Sequence, residues 1–220
     1  ARLNDVSGIL RIRFTTSHPK DCSPQLIDAM AHLDKVCEHL HLPLQAGSDR
    51  ILKMMNRRYD LAYYLDLVER IREKVPGISL TTDLMVGFPG ETEEDFEATL
   101  SAVRQVRFDS AFPVIYSPRK NTKAAAMPEQ VPEEVKTERI GRLIELQNRI
   151  TWEINQELIG SVQPVLVEGT SKEDPQVLSG RTRTNKLVLF PGEETLIGQE
   201  VDVRIEDAGT WHLSGRLEGG

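Results

Sequence analysis

The strongest constraint on this chain is a change of rhythm at Gly160. Before it, short β-type runs alternate with amphipathic helical runs; after it, only short β-type runs separated by turn residues remain. Strands alternating with helices imply βαβ units and a parallel sheet, whereas closely spaced short strands imply a small barrel or sandwich. The expected fold is therefore α/β: a partial (β/α) barrel or a small doubly wound sheet, with parallel strands, over 1–159, then a five-stranded antiparallel β-barrel in the size range of oligonucleotide-binding barrels over 160–220.

Four strands are expected in the first part. Ile9-Leu10-Arg11-Ile12-Arg13-Phe14 alternates apolar and basic residues and reads as the first; 39–44, 78–86 and 111–116 read as the others. Between them lie a helix with Ser23 as N-cap and Pro24 at its first position, helices over about 49–57 and 61–74, and one running to about 106. The Cys37 thiol is expected to end the apolar face of the first of these. Thr92-Glu93-Glu94-Asp95 forms a capping box at the start of the last. Pro132-Glu133-Glu134 begins a long linking helix to about 158. The barrel strands are expected over 162–167, 177–183, 186–189, 200–205 and 211–217. An exposed first strand would leave an unpaired edge, so earlier strands are expected to precede it in a longer polypeptide.

Composition narrows the function classes. The chain has 220 residues, 39% hydrophobic and 28% charged, with a net charge of −7. No run approaches the roughly 20 apolar residues of a membrane span, and no basic-then-apolar leader opens the chain, so a cytoplasmic protein is expected. The acidic balance opposes a broadly basic nucleic-acid binder; any RNA contact must come from a local patch. The two cysteines, Cys22 and Cys37, have no metal or iron–sulfur spacing and read as free thiols. His39 and His41 share one strand face without a companion Cys or carboxylate pattern, so no metal site is assigned.

In parallel α/β folds active groups sit at the C-terminal ends of the strands. There the chain places Thr15-Thr16-Ser17-His18, Gln45-Ala46-Gly47-Ser48, Gly87-Phe88-Pro89-Gly90-Glu91 and Tyr116-Ser117-Pro118-Arg119. The Gly87 and Gly90 turn lets backbone approach a ligand at a helix N-terminus, but fits a tight capped turn equally well. Gln45 and Ser48 could bond a ribose or a carboxylate, and Ser48 could equally cap the next helix. Asn56-Arg57-Arg58-Tyr59 could hold a carboxylate or phosphate, or end a helix in solvent. In the barrel, Arg181, Arg183, Asn185 and Lys186 fall within seven positions, either as a soluble strand edge or as a grip on RNA phosphates.

Taken in order, Arg13-Phe14-Thr15-Thr16-Ser17-His18-Pro19-Lys20-Asp21, His39 through Ser48, Met55-Asn56-Arg57-Arg58-Tyr59, Gly87 through Thr92 and Tyr116-Ser117-Pro118-Arg119 resemble the radical S-adenosylmethionine methylthiotransferases. The first and third of these runs resemble the branch acting on isopentenyl-adenosine in tRNA. Residues 161–217 resemble the TRAM domain that ends these enzymes, with Gly169-Thr170-Ser171-Lys172 and Gly180-Arg181-Thr182 as its recognisable pieces. Asp60, Asn121 and Lys123 depart from the family pattern locally.

The resemblance implies S-adenosylmethionine and two 4Fe-4S clusters in the full-length enzyme. It implies that a deoxyadenosyl radical takes hydrogen from C2 of the adenine and that a methylthio group is joined there. The cysteine triplets that hold both clusters are absent from this sequence, so it implies a fragment, inactive alone, with no catalytic or metal-ligating residue of its own. It further implies cofactor contacts from Gln45, Ser48, Arg58, Gly87, Gly90 and Glu91, and tRNA contacts from Arg181, Arg183, Asn185 and Lys186. The expected partners are the tRNA anticodon stem-loop and the rest of the same polypeptide, with no membrane. The alternatives are a non-catalytic RNA-binding protein with a degenerate barrel, or a methylthiotransferase acting on another tRNA adenosine or a ribosomal protein.

Overall fold

A computed structural model describes residues 2–15 and 18–219. The chain divides into two compact units, one comprising Thr15–Asp28 and Leu40–Ile150, the other Ala1–Phe14, Ala29–His39 and Thr151–Gly220.

The first unit is built on a parallel sheet. In chain order before the barrel come α1 (Pro24–His32), β1 (His39–His41), α2 (Asp49–Met54), α3 (Leu61–Lys74), β2 (Ser79–Val86), α4 (Glu93–Val106), β3 (Ser110–Ile115) and α5 (Glu133–Gln156), of which residues 29–32, 39 and 151–156 fall in the second unit. The strands lie in the order β1-β2-β3, and β2 pairs with β3 from Thr81↔Ser110 to Val86↔Ile115. Leu80, Leu84 and Val86 on β2, with Leu67, Ile71, Phe96, Leu100 and Val103 on the helices, are buried in the core. Each such side chain contributes about 1.5–3 kcal/mol through burial. The opposite sheet face is open: Phe112 and Val114, register partners of Asp83 and Met85, are 55% and 44% exposed.

Helix starts follow local chemistry. Ser23 Oγ accepts the Leu26 N–H at 3.2 Å. The Asp60 carboxylate accepts the Tyr63 N–H at 2.8 Å. Thr92 and Asp95 close the capping box from both sides, and Glu93, Glu94 and Asp95 oppose the positive end of the helix dipole. Gln147 on α5 donates to the Phe108 carbonyl at 2.8 Å, satisfying a buried acceptor just before β3.

The second unit contains a closed barrel in the order β4-β5-β6-β8-β7, from β4 (Val162–Thr170), β5 (Val177–Thr182), β6 (Leu187–Pro191), β7 (Glu200–Ala208) and β8 (Leu213–Leu217). Alternate residues point inward, so Val165, Val167, Leu178, Val188, Phe190, Val203, Ile205 and Leu213 fill its interior. Closure removes the free strand edges of an open sheet.

Four expectations are corrected. Residues 9–14 form no strand; Ile12 makes one parallel bridge to Val36, and the sheet has three strands among the described residues, not four. The alternating arginines there serve another purpose. Arg11 donates to the Arg181 and Pro164 carbonyls at 2.6 and 2.9 Å, and Arg13 to the Thr182 carbonyl at 2.9 Å. The barrel is mixed rather than antiparallel, because β6 and β8 run parallel through Val188↔Leu213 and Leu189↔Ser214. Cys37 lies beyond the end of α1, its N–H bonded to the Ile12 carbonyl at 3.0 Å. The helix expected over 49–57 stops at Met54, because Asn56 turns left-handed at φ 60°.

Candidate functional site

The C-terminal end of β2 opens into the turn Gly87-Phe88-Pro89-Gly90-Glu91, which feeds α4. Gly87 and Gly90 have φ of 71° and 81°, a region costly to side-chain-bearing residues. A Cβ on Gly87 would stand 2.3 Å from Lys136 Cγ, so the lysine stem fills the space a side chain would need. The turn is braced from α5. Arg139 Nη1 donates to Glu91 Oε1 at 2.7 Å and to the Glu91 carbonyl at 3.2 Å, while the same carboxylate accepts the Gly87 N–H at 3.0 Å. Burial raises the Glu91 carboxyl pKa, against the opposing pull of Gly87 N–H and Arg139. Glu91 thus spends its side chain closing the turn on itself.

Ser48 follows β1 and is buried. It caps α2 and donates to Asp95 Oδ1 at 2.6 Å. Asp95 also accepts from the Thr92 N–H at 2.9 Å, from the Thr92 hydroxyl at 2.8 Å, and from Arg50. Burial acts to raise the Asp95 carboxyl pKa, but these donors outweigh it and hold the group well below the usual carboxylate range. Arg50 also donates to the Gly90 carbonyl, so one network ties the Ser48 turn to the Gly87–Gly90 turn.

Gln45 sits between them. It is half-buried, holds a left-handed φ of 72°, and bridges β2 through Asp83 O at 2.9 Å and Met85 N at 2.8 Å. The left-handed conformation is unusual for a residue other than glycine. Its side-chain amide has no partner among the described residues. Arg58 is exposed beyond Asn56, and neighbouring Arg57 keeps a buried Nε without a hydrogen-bond partner among the described residues. Tyr59 anchors this bend by donating to the Pro43 and Leu44 carbonyls at 3.2 and 3.0 Å; burial pushes its phenol up to about 12. Of the first strand-end group, Thr16 and Ser17 lie outside the described residues; the His18 ring stands edge-on to Tyr59 at 5.2 Å.

Tyr116 was missed as a site residue, although its motif was noted. It follows β3, is buried, and stacks edge-on against Phe88 at 5.4 Å. Its hydroxyl has no hydrogen-bond partner among the described residues. A buried phenol thus leaves a hydrogen-bonding group unused at a strand C-terminus. Arg139 and Lys136 were also missed, because their role as braces depends on how α5 packs.

In the barrel, the other candidates form the β5–β6 hairpin. Asn185 takes the left-handed position at φ 67°, and Thr182 bonds Lys186 across the turn. Arg181 donates to the Asn185 carbonyl at 2.9 Å, and Lys186 to Asn155 at 3.0 Å. Arg183 holds the Glu38 carboxylate with two bonds of 2.7 Å.

Residues 1–103 match the Radical SAM superfamily and residues 156–217 match the TRAM domain. The Radical SAM superfamily match lies before the change of rhythm at Gly160, and the TRAM domain match spans it. It is similar along its whole length to proteins named tRNA-2-methylthio-N(6)-dimethylallyladenosine synthase: 57% identical over 219 residues to that of Moorella thermoacetica, covering 100% of this chain and 49% of the relative. It is 56% identical over 217 residues to that of Carboxydothermus hydrogenoformans, covering 99% and 49%. The chain spans about half the length of these curated relatives. Among solved structures it shares the fold of the Escherichia coli coproporphyrinogen III oxidase HemN, a radical SAM enzyme, with TM-score 0.53 and 15% identity over 79% of this chain and 46% of that one.

The superfamily implies S-adenosylmethionine and an iron–sulfur cluster. The residues of this chain do not fit the cluster. Cys22 and Cys37 are free and buried, and burial raises the Cys22 thiol pKa, the reverse of what a ligating thiolate needs. Among the described residues no three His, Cys, Asp or Glu side chains gather as a metal site. S-adenosylmethionine does fit, because the unpaired Tyr116 hydroxyl and Gln45 amide stand at strand ends in the unit that also holds the Gly87–Gly90 turn. Among the described residues no helix is long and apolar enough to cross a membrane.

Proposed function

We propose that this chain is the second part of a radical-SAM tRNA methylthiotransferase that adds a methylthio group to C2 of isopentenyl-modified adenosine beside the anticodon. The whole-length identity to synthases of that name carries the reading. In this assignment residues 1–159 belong to the radical-SAM domain and 160–220 to the TRAM domain. Two 4Fe-4S clusters are held by residues outside this chain, whose own thiols do not fit them. In this reading the protein acts on tRNA in the cytoplasm.

The cofactor, when bound, supplies a carbon radical that abstracts hydrogen. This chain's residues bind and orient it. Gln45 offers its free amide to the ribose or amino-acid part, with Ser48 beside it holding the turn. Arg58 reaches the carboxylate as a charge-assisted donor. Gly87 and Gly90 leave backbone exposed along the adenosine, and Glu91, braced by Arg139, holds that turn in shape. In the barrel, Arg181, Arg183, Asn185 and Lys186 face the anticodon stem-loop. Each cation there already has an internal partner, so this group contributes shape and hydrogen bonding more than net charge.

Deleting the gene and hydrolysing total tRNA tests the activity. Loss of 2-methylthio-isopentenyl-adenosine with accumulation of isopentenyl-adenosine is the expected result; an unchanged nucleoside profile overturns it. A non-catalytic RNA-binding role is favoured by one observation, the misfit between this chain's thiols and a cluster. Iron content of the anaerobically purified native protein separates the two.

A further inference from the structure

The chain carries net charge −7, so an RNA partner needs a local concentration of uncompensated cations. The barrel hairpin does not provide it. Arg183 is held by Glu38 at 2.7 Å, and Arg181 lies 3.5 Å from Glu168, a carboxylate it shares with Arg13.

The strand C-terminal rim of the sheet unit differs. Arg119, Lys120 and Lys123 fall within five residues of the segment after β3, all three exposed. Lys53 and Arg57 lie at and just beyond the end of α2. None of the five has a carboxylate or other side-chain partner among the described residues. The two segments converge on one turn: a Cβ built on Gly90 would lie 3.0 Å from Met54 Cε, next to Lys53, and 3.0 Å from Glu129 Oε2, on the segment that follows Lys123. Gln130 ties that segment together by donating to the Ala124 and Met127 carbonyls. The carboxylate at this turn, Glu129, acts on Arg50, which already bridges Asp95. Burial first, then Arg57, Lys20 and Arg58, depress the His18 imidazole pKa, opposed by the Asp21 carboxylate.

We infer that this rim is an RNA-docking surface, with Lys53 and Arg57 on one side of the Gly90 turn and Arg119, Lys120 and Lys123 on the other, gripping backbone phosphates that flank the nucleotide being modified. Five unpaired cations at the edge of a site that must receive a flipped-out base suit a polyanion, and their spread over two segments suits a strand rather than a single anion. Long, flexible, unpaired side chains hold register without reading sequence. The inference rests on the reading of the chain as part of a tRNA-modifying enzyme.

The test is fluorescence anisotropy of a labelled anticodon stem-loop RNA titrated with the protein at salt concentrations between about 50 and 200 mM. Three versions are compared: the natural sequence, R119Q/K120Q/K123Q, and R181Q/R183Q. The three rim side chains are exposed and unpaired, so their replacement is expected to leave the melting temperature unchanged; R119E/K120E/K123E serves as a second rim variant. Each phosphate contact contributes about 0.7–0.9 to the slope of log K against log salt. The triple Gln variant is expected to bind at least about tenfold more weakly at low salt, with a slope shallower by about 1–2, and the Glu variant to bind more weakly still. The R181Q/R183Q change is expected to be smaller. If the natural protein binds RNA while both rim variants match it in affinity and slope, the rim assignment is overturned and the RNA reading stands. If the natural protein shows no salt-dependent RNA binding, both fall.

Discussion

The Arg139 guanidinium meets the Glu91 carboxylate at 2.7 Å, with the two side chains only 5% and 2% exposed. A helix near the end of the sheet unit thereby holds the turn at its centre. Removing one member of a buried pair strands the other charge, at a cost of about 3–5 kcal/mol. Arg139→Leu is expected to destabilise the sheet unit by that amount in urea denaturation. Adding Glu91→Leu should recover part of the loss, less the penalty of leaving the Gly87 N–H unpaired, about 1–3 kcal/mol. Purely additive losses would sink the idea of a coupled brace.

Tyr116→Phe is expected to produce opposed signs. Its hydroxyl is buried without a partner, so deletion relieves a desolvation penalty and should leave stability equal or raise it by about 1 kcal/mol. If the hydroxyl bonds the cofactor, S-adenosylmethionine affinity of the whole enzyme falls by about two- to tenfold, equivalent to 0.5–1.5 kcal/mol. Isothermal titration alongside thermal melting reads both. Unchanged affinity would remove Tyr116 from the site.

Gly87→Ala should be costly for two separable reasons. The left-handed φ of 71° penalises alanine by about 1 kcal/mol or more, and the new methyl meets the Lys136 stem. Combining it with Lys136→Ala should relieve the clash but not the backbone strain. Melting temperatures of the two single variants and the double should therefore be non-additive in the favourable direction.

Asp95 sets a pH dependence of definite sign. Its folded pKa is depressed, so the stability it contributes is complete above the ordinary carboxylate value, near 4, and is lost as pH falls from there toward the folded value. Stability of the natural protein should therefore decline on acidification below about pH 4, with a slope up to about 1.4 kcal/mol per pH unit from this group. Asp95→Asn should start less stable at neutral pH and show a flatter acid limb in urea midpoints measured across that range.

Much of this architecture was legible in the order of residues. Local chemistry determined it: the Thr92 to Asp95 capping box, the helix over 61–74, the change of rhythm at Gly160, and the inward alternation that fills the barrel. Each depends on neighbours a few positions apart, whose geometry the backbone alone dictates. The strand-end motifs were legible for the same reason, and their order carried the family resemblance.

Only the tertiary structure decided what partners those residues take. Ile9 to Phe14 has a strand's alternation, yet Arg11 and Arg13 spend their guanidiniums on the Pro164, Arg181 and Thr182 carbonyls more than 150 positions away. The parallel pairing of β6 with β8 follows from barrel closure, a global condition that no single strand encodes. Whether a cation is free or neutralised is likewise a question of distant neighbours. Arg183 meets Glu38 across 145 sequence positions, while Arg119, Lys120 and Lys123 meet no carboxylate among the described residues. The sequence by itself determined which residue types stand at the strand ends; the packing of distant segments determined which of their charges and hydrogen-bonding groups remain for a ligand, because Coulomb and hydrogen-bond energies depend on separation in space and not along the chain.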